Sequence, residues 1–197
     1  AGCAADDVLA FDTGPGVMVI DEAVRLLTDG GLPYDVDGAM AAAGRVRRDW
    51  LTVPLDDPWY RLPPPRSTGR EVFGRTFTER WVARCRRLGG SAEDIVATAT
   101  ALTAETVADA YRRFLPCPPD EVVVTGGGAR NPVLVAMLRE RLPAPVRTAE
   151  EMGWNGDAKE AVAFAILADR TMQGLPGNVP RATGASRPVI LGSVTPP

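Results

Sequence analysis

Phe11-Asp12-Thr13-Gly14-Pro15-Gly16 is the stretch whose reading decides the fold. Apolar Val8-Leu9-Ala10 leads into it and Val17-Met18-Val19-Ile20 leads out, so a short buried strand is expected over 8–12 and a helix over 17–28. A strand that ends in an acid and a hydroxyl, then turns through glycines into a helix, sets backbone N–H groups beside a carboxylate. Such a junction can hold a phosphate, its metal ion, or the oxygen that attacks it. The same run also suits a tight turn whose Asp12 caps the following helix. A second glycine junction, Val122-Val123-Val124-Thr125-Gly126-Gly127-Gly128, repeats the pattern. It is not a P-loop, because no Gly-Lys-Ser/Thr follows, and not GxGxxG, because Asn131 holds the last glycine position. Its glycines let a flat group such as a base and ribose approach the chain. Asn131-Pro132 then opens a helix whose positive end faces that turn.

Composition narrows the chemistry. A length of 197 residues with 45% apolar residues supports one good core, or one domain with a long appendage. A net charge of −3 gives no reason to expect nucleic acid or an anionic membrane as partner. No apolar run approaches the ~20 residues that span a bilayer. Ala1–Asp7 lacks the basic start and long apolar stretch of a signal peptide. Cys3, Cys85 and Cys117 are odd in number and show no CxxC spacing, so neither a disulfide framework nor a zinc site is supported. A cytoplasmic setting is expected. The chain has no histidine, which removes Ser-His-Asp hydrolysis, histidine metal sites and histidine base catalysis together. Proton transfer falls to Asp, Glu, Lys or Tyr, and Asp12, at the carboxyl end of its expected strand, leads the candidates.

Periodicity predicts further helices near 37–43, 74–88, 91–114, 132–142 and 157–173, with strands at 121–125, 146–148 and 189–191. Ser91 with Asp94 three residues on resembles a capping box. Residues 54–69, with Pro54, Pro58 and Pro63-Pro64-Pro65, read as a connector draped over one edge. Strands interleaved with helices through short glycine loops indicate an α/β domain. Ser67-Thr68-Gly69-Arg70-Glu71 follows the prolines with Arg66 in front; two hydroxyls and two guanidinium groups suit a polar or anionic ligand, and equally a solvated loop with an exposed helix cap. Asp157 is placed as a cap or first-turn acid of the last long helix. Glu160, beside Ala161, Val162 and Phe164, would suit a sugar hydroxyl if partly buried. Leu175–Pro180 reads as a rigid turn.

Five blocks then carry a resemblance over nearly the whole chain. They are Phe11–Gly16, Ser67–Phe73, Thr125–Pro132, Glu160-Ala161 with Ala163–Ala165, and Leu175–Asn178 with Thr183–Ala185. In this order and spacing they resemble the carboxyl-terminal half of the anhydro-N-acetylmuramic acid kinase family, within the actin/hexokinase/Hsp70-like ATPase superfamily. The resemblance implies an RNase-H-like, actin-like ATPase lobe, a mixed sheet with helices on both faces. It implies an enzyme of cell-wall recycling that uses ATP and Mg²⁺ to make N-acetylmuramic acid 6-phosphate from the 1,6-anhydro amino sugar while water opens the anhydro bridge. Asp12 would be the base that activates the water. Thr13, Gly14, Gly126, Gly127, Gly128 and Asn131 would meet the nucleotide, and Glu160, Ser67 and Arg70 the sugar; no residue is assigned to a metal. A homodimer of the complete enzyme is left open.

Two departures accompany the resemblance. Val17 stands where the family usually has Asn. The family's first half, with its Gly-Thr-Ser-x-Asp-Gly-like phosphate loop, has no counterpart among these residues. The chain is therefore expected to be the second lobe of a two-lobed kinase and to show no turnover alone. The alternative is a non-catalytic nucleotide-binding lobe completed by a separate chain. A chaperone-like ATPase acting on something other than sugar fits the Ser67–Phe73 and Leu175–Ala185 blocks least.

Overall fold

The computed structural model describes residues 8–195, which gather into two compact units. The larger unit comprises Thr13–Leu62 and Thr68–Trp154. It runs α1 (Met18–Leu27), α2 (Ala39–Ala43), α3 (Arg48–Leu55), α4 (Arg70–Phe73), α5 (Arg75–Arg87) and α6 (Ala92–Phe114), then β1 (Val122–Val124), α7 (Pro132–Arg141) and β2 (Val146–Thr148).

The axis of this unit is α6. Ser91 Oγ accepts the Asp94 N–H and starts it as the capping signature predicts. Its length from Ile95 to Ala110 is largely buried, with alanines giving neighbours close approach and α1, α2, α3 and α7 packed around it. The buried threonines are tolerated because their hydroxyls find carbonyls: Thr100 Oγ1 donates to Val96 O and Thr106 Oγ1 to Thr103 O. α1 buries Val19, Ile20, Ala23 and Val24.

The first part of the proline-rich stretch, expected to lack helix, is helical to Leu55 and again over Pro58–Arg61, and it feeds the core of this unit. Pro54 lies inside α3 and cannot donate to the carbonyl of Trp50, which instead accepts Trp81 Nε1–H at 3.3 Å. Asp57 Oδ1 accepts the Trp59 N–H and begins a 3₁₀ turn over Pro58–Arg61. That turn delivers Tyr60 onto Phe73, with ring centroids 5.7 Å apart, while Trp59 meets Phe73 edge-on. Aromatic burial of this size outweighs the absence of helical periodicity in the proline run.

The fold is mixed α/β, and among the described residues its sheet is two parallel strands, β1 and β2, pairing Val122 with Val146 and Val124 with Thr148. The expected strands at 8–12 and 189–191 do not form. Asp12 N–H donates instead to Arg66 O, and Val189 N–H to Asn178 Oδ1, while Val189 O accepts from Gly177 N. Backbone groups held by loops and side chains leave no ladder to build.

The smaller unit gathers the segment ending at Asp12, Pro63–Ser67 and the chain from Asn155 on. It holds α8 (Lys159–Met172) and a short α9 (Pro180–Thr183) in the stretch next to the turn expected at 175–180. Asn155 Oδ1 accepts the Asp157 N–H and caps the turn that opens α8, with Asp157 as the acid of its first turn. No residue of α8 is buried, and Phe164 is 70% exposed. Among the described residues no helix is long and apolar enough to cross a membrane.

Candidate functional site

In the smaller unit the Asp12 block and the Ser67 block meet. Asp12 N–H donates to Arg66 O at 3.0 Å, and Arg66 Nε returns a bond to Asp12 O at 2.9 Å. Ser67 Oγ donates to Asp12 Oδ2 at 3.0 Å. Arg66 is buried, with its guanidinium 5.6 Å from the centre of the Phe11 ring. The reciprocal pair fixes the backbone on either side of the carboxylate, and the hydroxyl then orients it. α1 has no side-chain cap. The carboxylate of Asp12 is thus turned toward Ser67 rather than used as a helix cap.

In the larger unit the turn continues through Thr13, Gly14, Pro15 and Gly16, braced by α6. Gly14 lies so close to this helix that a Cβ there would stand 2.7 Å from Thr106 Oγ1 and 3.2 Å from the Tyr60 ring. Thr103 Oγ1 donates to Gly16 O at 2.6 Å, and Pro15 is fully buried. The glycines here serve close packing as well as exposure.

The second glycine turn sits beyond β1. Gly126 has φ +78, in the left-handed region, and a Cβ at Gly126 or Gly127 would meet nothing within 4 Å. Gly128 faces inward: its Cβ would come 3.3 Å from Val17 Cγ1 and 3.4 Å from Leu134 Cδ2. Val17 therefore joins the two glycine junctions. Asn131 Oδ1 accepts both Val133 N–H and Leu134 N–H at 3.1 Å, so its carboxamide oxygen is committed to starting α7.

Val17 also lines a cleft of about 1400 Å³ between α1, α3, α4 and α5, with Asp21, Arg70, Glu71 and Trp81. Burial pushes the Asp21 carboxyl above the ordinary aspartate range, against the opposing charges of Arg25 and Arg70. Arg70 is exposed at the start of α4. Glu160, in the first turn of α8, is exposed rather than partly buried. Two contributors escaped the sequence reading: Thr103, hidden in an alanine-rich helix, and Asp21, which reads as an ordinary first-turn acid. Asn178 holds the tail, with Nδ2 donating to Arg187 O as Oδ1 accepts from Val189.

Comparison with known proteins places these features in a family setting. The profile for anhydro-N-acetylmuramic acid kinase matches residues 3–197. A protein of that name from Streptomyces avermitilis is 48% identical over 100% of this chain and 50% of its own length. One from Caldanaerobacter subterraneus subsp. tengcongensis is 45% identical over 98% of this chain and 50% of its own. One from Synechococcus elongatus is 44% identical over 95% of this chain and 50% of its own. The chain spans about half the length of the curated relatives it matches.

Proposed function

The chain belongs to the anhydro-N-acetylmuramic acid kinase family, and from that premise we propose that it is the carboxyl-terminal lobe of an ATP-dependent amino-sugar kinase working in the cytoplasm. The lobe is of the RNase-H-like, actin-like ATPase type; a parallel strand pair with a glycine turn feeding α7 supports this. The observation that carries the reading is the Ser67–Asp12 hydrogen bond, which joins two blocks 55 positions apart around one carboxylate.

In the reaction we assign, Asp12 takes a proton from the water that attacks the anomeric carbon of 1,6-anhydro-N-acetylmuramic acid. The bond from that carbon to the bridging oxygen breaks, and the released 6-oxygen takes the γ-phosphoryl group of ATP. The products are N-acetylmuramic acid 6-phosphate, ADP and a proton. Phosphoryl transfer of this kind asks the protein chiefly for positioning and charge neutralisation. Thr13, Gly14, Gly126 and Gly127 are assigned to the nucleotide, and no atom crowds the face of Gly126 and Gly127. Mg²⁺ would be held chiefly by the phosphate oxygens of the nucleotide with one or two carboxylates, where it would neutralise developing charge. Ser67, Arg70 and Glu160 are assigned to the sugar.

One lobe cannot close a cleft or exclude water, so the chain alone should not turn over. A coupled ADP-release assay with the anhydro-sugar decides this. We expect no sugar-dependent ADP from the 197 residues, and turnover when the other half of a relative is supplied. Robust turnover by the chain alone would sink the half-enzyme reading.

A further inference from the structure

The glycine turn after β1 is open on one side and walled on the other. A Cβ at Gly126 or Gly127 would meet nothing within 4 Å, whereas one at Gly128 would stand 3.3 Å from Val17 Cγ1 and 3.4 Å from Leu134 Cδ2. Both gaps are shorter than the ~3.5–4.0 Å at which two carbons rest, so a methyl at Gly128 must displace either the wall or the turn. The wall is the stiffer partner. Leu134 is buried in α7, and its N–H is held by the Asn131 cap. Val17 stands at the N-cap of α1, and its β-branched side chain is stiff about χ1. Its carbonyl accepts the Asp21 N–H at 2.9 Å. The backbone just before it is held by Thr103 Oγ1 on Gly16 O and by the buried ring of Pro15. The turn therefore yields first, toward the open face of Gly126 and Gly127.

We propose that Val17 is a positioning residue: its side chain sets how far the Gly126–Gly128 turn stands from the start of α1, and so where that turn meets the nucleotide. The inference rests on the reading of Gly126 and Gly127 as nucleotide contacts and adds the residue that places them. In this role Val17 acts through Gly128 rather than on the ligand. It acts by volume, through van der Waals contact, so the two positions are coupled in size: what one gains, the other must lose. A displacement of this turn by a fraction of an ångström matters because binding and transfer of a phosphoryl group depend on placement.

The test is a double-mutant cycle in the complete enzyme, read as the KM for ATP, kcat and urea unfolding. Gly128→Ala pushes the turn outward and Val17→Ala lets it sink, so each alone should raise the ATP KM by about five-fold or more, as residues in contact allow. The double variant Val17→Ala with Gly128→Ala puts a methyl where the valine γ-carbons were. It should return the KM to within about two-fold of wild type, with kcat nearly constant throughout. Additive effects on KM overturn the proposal. So do variants that lose stability while KM stays at the wild-type value, because Val17 would then serve the core alone. Gly127→Leu separates this failure from failure of the nucleotide reading. Gly127 is exposed, lies outside the left-handed region and has open space at its Cβ, so leucine there should leave unfolding unchanged and raise the ATP KM by blocking the open face. A raised KM in Gly127→Leu beside an additive cycle sinks the role of Val17 and leaves the nucleotide assignment standing. An unchanged KM in Gly127→Leu removes the nucleotide assignment, and the role of Val17 with it.

Discussion

Ser67 Oγ donates to Asp12 Oδ2 at 3.0 Å, and the backbone beneath the pair is held by the exchange between Asp12 and Arg66. Hydrogen bonds to charged groups are worth about 1.5–3 kcal/mol, and each 1.4 kcal/mol is about ten-fold in rate. Ser67→Ala in the complete enzyme should therefore lower kcat by about ten-fold or more with a smaller change in sugar KM. Ser67→Thr, which keeps the hydroxyl, should recover most of the loss. Unchanged kcat in Ser67→Ala would mean that the hydroxyl does not orient the carboxylate.

Within the larger unit, Thr103 braces the Gly14–Gly16 turn. Its hydroxyl lies 2.6 Å from Gly16 O, from a side chain only 4% exposed. Thr103→Val keeps the shape and deletes the donor, so stability should drop by about 1 kcal/mol. Nucleotide affinity should weaken too as the Gly14–Gly16 backbone loosens, while Thr103→Ser stays near wild type. Urea unfolding and nucleotide titration read the two effects separately. A Val variant as stable as wild type, with wild-type affinity, contradicts the bracing role.

Asp21 gives a pH signature. Burial raises its carboxyl, so the folded chain holds that proton more tightly than the unfolded chain does. Its contribution is a penalty, fully present once pH exceeds the raised folded value and relieved as pH falls back through it. Asp21→Asn should therefore stabilise the chain at pH 7. The gain should shrink on acidification and vanish below the ordinary aspartate range. Melting curves across this window check the sign, and a variant that is less stable at pH 7 shows the assignment to be wrong.

Cys85 is fully buried, with its thiol pushed up to about 11, whereas Cys117 is exposed. At pH 8 the Cys85 thiolate fraction is on the order of a thousandth. Peptide mapping after brief native labelling should find the label on Cys117, with Cys85 modified only in denaturant. Rapid native modification of Cys85 would argue against this core.

Patterns confined to one segment were legible in the sequence. Ser91 and Asn131 cap the helices they announce, and the Val-rich run becomes β1 beside a glycine turn. What escaped depends on distant partners. Pro54 hides a helix, because the carbonyl it leaves unserved is taken by Trp81, 31 positions from Trp50. Residues 8–12 carry strand composition, but Asp12 spends its N–H on Arg66. The candidate site divides in the same way. Asp12 and the glycines announce themselves by type, whereas Thr103 acts over 87 positions and Asp21 matters only through the cleft it borders.

The most direct test of the central claim is Asp12→Asn in the complete enzyme, assayed for ADP release and for nucleotide binding with 1,6-anhydro-N-acetylmuramic acid present. The exchange is nearly isosteric and still accepts a hydrogen bond from Ser67 through its oxygen, but it cannot take a proton. The account predicts that sugar-dependent ADP release and N-acetylmuramic acid 6-phosphate are lost while nucleotide affinity stays close to wild type. Product formed at the wild-type rate by Asp12→Asn would contradict it.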